Sequence, residues 1–184
     1  MEIINFYGGF FSLALYHFGL SKLSCGICYS RSREVQSESG GGGLPIRYYE
    51  PHLKTKLPIA DMSLLYSDIP ELFTCKCDVC SKYSQKFAGA ASKEDKDRIL
   101  IEFFGDRNKK NKTQSGFIDW QRSRLHFLHS QKAEKEQIEK TTNEDTIADI
   151  RANYSLLRKT HFDPFKYGSY EHLNIWADCL ESCT

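Results

Sequence analysis

The sequence predicts an α/β chain in which the end of a (β/α) barrel, present as a βαβ unit, carries a zinc-binding insert and C-terminal helices. Three observations carry that expectation. EIINFY and KLSCGICY are short apolar, β-prone runs on either side of a helix-patterned stretch. FTCKCDVC, residues 73–80, places three thiols within one tight turn. Residues 117–140 contain neither Gly nor Pro and read as one long helix, followed by further helical patterns. The expected organisation is residues 1–30 as the last strands of a TIM-type barrel and 31–116 as a loop-rich zinc-binding insert. Residues 117–184 are expected to be helices packing on barrel and insert.

Composition sets the outer limits. A chain of 184 residues suits one domain, or a fragment of a larger one with a small insert. Lys+Arg 25 against Asp+Glu 24 leaves a formal charge of +1, so no global field attracts a polynucleotide, although local basic patches remain open. Seven cysteines without a recognisable signal peptide read as reduced thiols with a metal, not as a disulfide framework, and point to the cytoplasm. INFYGGFFSLALYHFGL is apolar, but it lacks a basic flank and is broken by Gly8, Gly9 and His17. A membrane span needs about 20 mostly apolar residues, so this segment is expected to be buried strand and helix.

In chain order, residues 2–7 form the first strand and Gly8-Gly9 breaks it. FFSLALYHF follows as a helix with Phe11, Leu15 and Phe18 at helical spacing and Gly19 at its C-terminal end. The second strand follows in KLSCGICY. A lone βαβ unit exposes both strand edges and cannot cover both sheet faces, which is why it reads as the end of a barrel. SRSREVQSESGGGGL, residues 30–44, is a polar connector or a backbone that approaches a partner closely. PIRYYEPHLKTKLP is extended, aromatic and basic. Arg47, Lys54 and Lys56 are candidate phosphate contacts there, with Tyr48 and Tyr49 either stacking on bases or packing beneath the zinc insert.

Residues 60–73 read as a short helix with Leu64 and Leu65 inward, leading directly into the thiol turn. Cys75, Cys77 and Cys80 supply three ligands for tetrahedral zinc; the fourth is a neutral imidazole or a thiol from a packed helix. His126 is the first candidate and His129 the alternative. The competing reading is three reduced cysteines buried as small hydrophobes, but Lys76 and Asp78 between them do not suit a core strand. A closed site of this kind is structural, and its binding free energy is folding free energy for a segment with little apolar core. Ser92 caps a helix through Phe104. RNKKNK, residues 107–112, is a solvated loop or a phosphate contact through Arg107, Lys109 and Lys110.

In the long helix, Trp120, Leu125 and Leu128 can share an apolar face, and the second half is charged. Asn143 caps a further helix to about Lys159, with Ile147, Ile150, Tyr154 and Leu157 as its stripe. A short helix from about Ser169 ends the chain, with Cys179 and Cys183 four residues apart as incidental thiols.

The order of these motifs resembles the C-terminal part of the tRNA-guanine transglycosylase family. The C-x-C-x2-C pattern of Cys75, Cys77 and Cys80 with a helical His126 is similar to that family's zinc insert, with a longer gap before the histidine. GGGGLPIRYYEPHL and LHFL are similar to the branch that places 7-deazaguanine bases in DNA. The resemblance implies a barrel end with zinc, and a separate barrel-bearing chain that supplies the missing strands and acts with this one on DNA or tRNA. It also implies an aspartate nucleophile, because an oxocarbenium-like centre must meet a carboxylate. Ser21 and Ser24 lie where the family has acids, and no Asp precedes Asp61. The chain is therefore expected to be a non-catalytic subunit of a base-exchanging enzyme. The rival expectations are a free-standing zinc module that binds nucleic acid, and an active fragment that uses Asp61 or Glu50.

Overall fold

The computed structural model describes residues 3–5, 9–23, 46–106, 116–160 and 162–183. Ile3–Asn5 (β1) and Leu20–Leu23 (β2) pair in parallel, joined by the helix Phe10–Ala14 (α1) and a 3-10 turn Leu15–Phe18. Gly19, at φ +90°, ends that turn in the left-handed region that glycine enters without steric cost. Arg47–Glu50 (β3) and Thr55–Pro58 (β4) form an antiparallel hairpin, with Tyr48 opposite Leu57 and Tyr49 opposite Lys56.

The expected barrel end is not what the chain forms. Each sheet has two strands, and no further strand joins either of them among the described residues. Closure needs every strand to find two neighbours at a staggered register. Strands of three and four residues with one partner each do not begin that arrangement. Everything described after Pro58 is helix, turn or irregular, so the fold is mostly helical with two small open sheets. The βαβ pattern is real as a local unit but says nothing about neighbours, which is where the barrel inference fails.

The helices begin where local chemistry permits. Ile59–Asp68 (α2) follows the hairpin directly, and a 3-10 turn Pro70–Leu72 leads to the thiols. Ser81–Gly89 (α3) starts immediately after Cys80. Lys93–Phe104 (α4) is capped by Ser92, whose hydroxyl accepts the Asp95 N–H. Beyond it, Gly116 lies against the backbone of Phe104 and Gly105, so closely that an added Cβ would collide with those backbone atoms. Trp120–Ile138 (α5) is capped by Asp119. Asn143–Lys159 (α6) begins with a reciprocal capping box between Thr142 and Asp145, so the cap is Thr142, one residue before Asn143. Pro164–Tyr167 (α7) and Glu171–Ser182 (α8) complete the order.

One buried cluster runs from Phe10 to Leu180. Around the knuckle it is aromatic: Tyr48, Tyr66, Phe73, Phe103 and Phe104 form a chain of ring contacts. Helix α5 is rotated away from the face that its leucines suggest. Its buried side is Ser123, His126, Phe127, Ser130, Gln131, Glu134 and Ile138, while Leu125 and Leu128 are each 45% exposed. On that buried side His126 points into the thiol cluster and Glu134 meets Tyr49 and Lys54, and both directional requirements go with this rotation of the helix.

Candidate metal centre

The sequence CKCDVC folds into a knuckle because the Cys77 carbonyl accepts the N–H groups of both Cys80 and Ser81, each at 2.9 Å. The Ser84 hydroxyl donates to the Cys75 carbonyl at 2.7 Å, tying the entry of the knuckle to α3. These bonds turn Cys75, Cys77 and Cys80 towards α5. His126, fully buried there, places Nδ1 3.7 Å from Cys75 Sγ and 3.4 Å from both Cys77 Sγ and Cys80 Sγ.

These distances match tetrahedral zinc. Bonds of about 2.3 Å to sulfur and 2.0–2.1 Å to nitrogen imply a sulfur–nitrogen edge of about 3.6 Å. The four ligand atoms all lie within 4.8 Å of one another. The cluster is a Cys3His zinc-binding set.

The surroundings prepare each ligand. His126 Nε2–H donates to the Tyr49 carbonyl at 2.8 Å, which fixes the tautomer and leaves the Nδ1 lone pair facing the sulfurs. The imidazole stacks on Tyr48, with centroids 3.9 Å apart and planes 6° from parallel. The Tyr48 hydroxyl reaches Cys80 Sγ at 2.8 Å, a bond it donates when that sulfur is a thiolate. Both tyrosines therefore pack beneath the knuckle.

Charge in the bare cluster is unevenly held. Hydrogen bonds from the Cys75 and Cys80 thiols pull Cys77 far below the usual thiol range. The same crowding by Cys75 and Cys77, together with burial, pushes Cys80 far above it. Burial alone would lower His126, but the Cys75 and Cys77 sulfurs outweigh it and raise the imidazole to about 9. Zinc takes thiolate sulfurs and a neutral imidazole nitrogen, so its binding displaces the protons that these groups hold.

A groove of about 510 Å³ runs between the knuckle, the hairpin turn and α5. His129 lies on its wall, 3.8 Å from Asp78 and outside the ligand cluster. Lys54 lies there too, with φ +54°, a left-handed conformation that a lysine seldom adopts. Its ammonium is 3.1 Å from Glu134 and 3.7 Å from Asp149, and its side chain is only 7% exposed. Glu134 also accepts from the Tyr49 hydroxyl and the Gln131 amide, and burial raises its carboxyl above the usual range despite Lys54. Sequence reasoning missed this buried network. Glu134 is two helical turns past His126, which places it on the same face, but its charged neighbours read as a solvated surface.

The remaining sequence candidates are scattered. Arg47 is half-buried on β3, and Lys56 lies over the Phe127 ring at 3.6 Å. Arg107, Lys109, Lys110 and Ser24 lie outside the described residues. Ser21 belongs to β2. Glu50, proposed as a substitute carboxylate, is wholly buried, accepting the Leu53 N–H at 2.7 Å and His52 Nδ1–H at 3.0 Å. Asp61 lies in the first turn of α2. No helix is long and apolar enough to cross a membrane among the described residues.

No protein-family profile, curated protein or solved structure matches the chain. Together with the open sheets and mostly helical fold, this overturns the resemblance to tRNA-guanine transglycosylases. The glycosyltransferase activity and 7-deazaguanine chemistry that the resemblance implied fall with it. What remains of that comparison is the zinc motif.

Proposed function

We propose that the chain is a free-standing, non-catalytic zinc module that binds nucleic acid through basic side chains displayed around the knuckle and hairpin. The observation that carries this reading is the completeness of the ligand set. Three sulfurs and one imidazole nitrogen fill a tetrahedral shell, with Cys80 and His126 buried. A catalytic zinc site keeps a position open for water or substrate, and a full protein shell serves structure. A structural knuckle holds the surface around it in a fixed shape.

On that surface, Lys76 and Lys132 face one groove from the knuckle and from α5, and Arg47 and Lys56 come from the hairpin. Arg107, Lys109 and Lys110 of RNKKNK, outside the described residues, are further phosphate contacts on sequence grounds alone. Lys54 contributes less, because Glu134 and Asp149 already neutralise it. Affinity is modest, since Glu136 lines the same groove and the formal charge of the chain is only +1. With about three phosphates neutralised, log affinity falls with log salt at a slope of about −2.7 on duplex and about −2.1 on single strands.

The test is a titration of the zinc-loaded chain with labelled single-stranded and duplex oligonucleotides at several salt concentrations. Binding should need no companion chain and weaken in the double variant Lys76→Glu/Lys132→Glu. Absence of binding at low salt, or affinity indifferent to salt, overturns the nucleic-acid reading while leaving the zinc module intact.

A further inference from the structure

Cys75 and Cys77 differ from the other two ligands in their access to solvent. Cys80 and His126 are buried and held from behind, by the Tyr48 hydroxyl and the Tyr49 carbonyl respectively. Cys75 and Cys77 are half-buried and form part of the groove wall, with Ser130 and Ala133 of α5 among the other lining residues. A groove of about 510 Å³ gives a peroxide direct access to sulfur. The two sulfurs already lie within 4.8 Å of each other. Cα atoms two residues apart are at most about 7 Å apart, near the upper end of what a disulfide spans.

We propose that Cys75 and Cys77 are an oxidation site, which a peroxide converts to an intramolecular disulfide with loss of the zinc ion. The inference rests on the Cys3His cluster and not on the nucleic-acid reading. One thiolate sulfur attacks a peroxide oxygen, breaks the O–O bond and becomes a sulfenic acid, releasing hydroxide. The second thiolate attacks that sulfur, forms the S–S bond and releases another hydroxide. Two electrons pass from the sulfurs to the peroxide, and two protons from solvent turn the hydroxides into water. Cys80 and His126 then remain as two ligands for an ion that needs four. Pairing through Cys80 is opposed by its burial and its bond to Tyr48. Cys179, exposed on α8, and Cys183, exposed immediately after it, lie outside any metal cluster among the described residues and serve as an internal reference for ordinary thiols.

The experiment treats the full zinc-loaded chain with hydrogen peroxide, follows released zinc with a chromogenic chelator, and maps thiols by alkylation and mass spectrometry. The expected result is loss of one zinc per chain in step with a Cys75–Cys77 disulfide, with Cys80 open to alkylation and the metal rebinding after reduction. Ala133→Trp, which narrows the groove at a residue that is not a ligand, should keep its zinc content and release zinc more slowly. A disulfide through Cys80 would overturn the proposal. So would zinc retained under conditions that oxidise Cys179 and Cys183, or release from Ala133→Trp at an unchanged rate.

Discussion

Helix α5 buries Ser123, Ser130, Gln131 and Glu134 and leaves Leu125 and Leu128 each 45% exposed, whereas the packed pair α6 and α8 meets mainly through apolar side chains, with Ile175 of α8 as the one large apolar residue of that pair left exposed. There, Ile147, Ile150, Leu157, Leu173, Ala177 and Leu180 are buried, and Arg151 meets Asp178 and Glu181 on the outside. The α6–α8 pair is oriented by apolar area, which is non-directional and follows the helical period. The orientation of α5 goes with directional bonds to other elements: one imidazole to three sulfurs, and one carboxylate to Lys54 and Tyr49. Hydrophobic periodicity therefore predicts the facing of a helix only where no stronger directional requirement competes.

Metal removal should separate the two regions most widely. Structural zinc contributes apparent binding free energies of about 10–16 kcal/mol at neutral pH in small modules. Chelation, or His126→Ala, should release the knuckle and α5 while α6 and α8 stay protected longer in amide hydrogen exchange. Uniform loss of protection across the chain would show that the two regions are one cooperative unit, and would break the comparison.

The next largest effect belongs to the buried ion pair. Lys54→Met keeps the apolar stem but leaves Glu134 facing Asp149 without a counter-charge. Removing one member of a buried pair costs about 3–5 kcal/mol, readable as a lower urea midpoint of the zinc-loaded chain. Ile150→Ala probes the other region. It removes a fully buried side chain at a cost of about 2–5 kcal/mol, with zinc content unchanged.

A smaller, pH-dependent term comes from His52. Burial would lower its imidazole, but the hydrogen bond and charge of Glu50 prevail and hold it above the ordinary value of 6.5. A folded-state value above the unfolded one contributes stability that is complete below pH 6.5 and fades as pH rises through the raised value. Zinc-saturated protein should therefore lose this contribution as pH rises from 6.5 through the raised value. The difference in stability between wild type and His52→Gln, measured at each pH, should shrink over that interval; a constant difference would place the Glu50–His52 bond outside the folding equilibrium.

What was legible in the sequence follows the same division. The stripe of Ile147, Ile150 and Leu157, the Ser92 cap and the left-handed Gly19 are local signals, and the structure places them as a local reading expects. The Cys75, Cys77 and Cys80 spacing is local too. The barrel was a non-local inference drawn from two short strands, and nothing in EIINFY or KLSCGICY states how many neighbours each will have. Likewise, Lys54 and Glu134 are 80 residues apart, so their pairing is invisible until the hairpin turn meets α5.

The smallest expected effect tests the facing of α5 most directly. If Leu125 and Leu128 served as core residues, replacing either with Gln would cost several kcal/mol through lost burial and an unsatisfied amide. Each is instead 45% exposed on the side of α5 away from His126 and Glu134. The double variant Leu125→Gln/Leu128→Gln should therefore shift stability by no more than about 0.5 kcal/mol per site and keep one zinc per chain. A large loss would mean that α5 packs on its leucines and that His126 is turned away from the thiols. Melting and metal content measured on this one variant thus test whether the helix takes its rotation from the ligand or from its apolar residues.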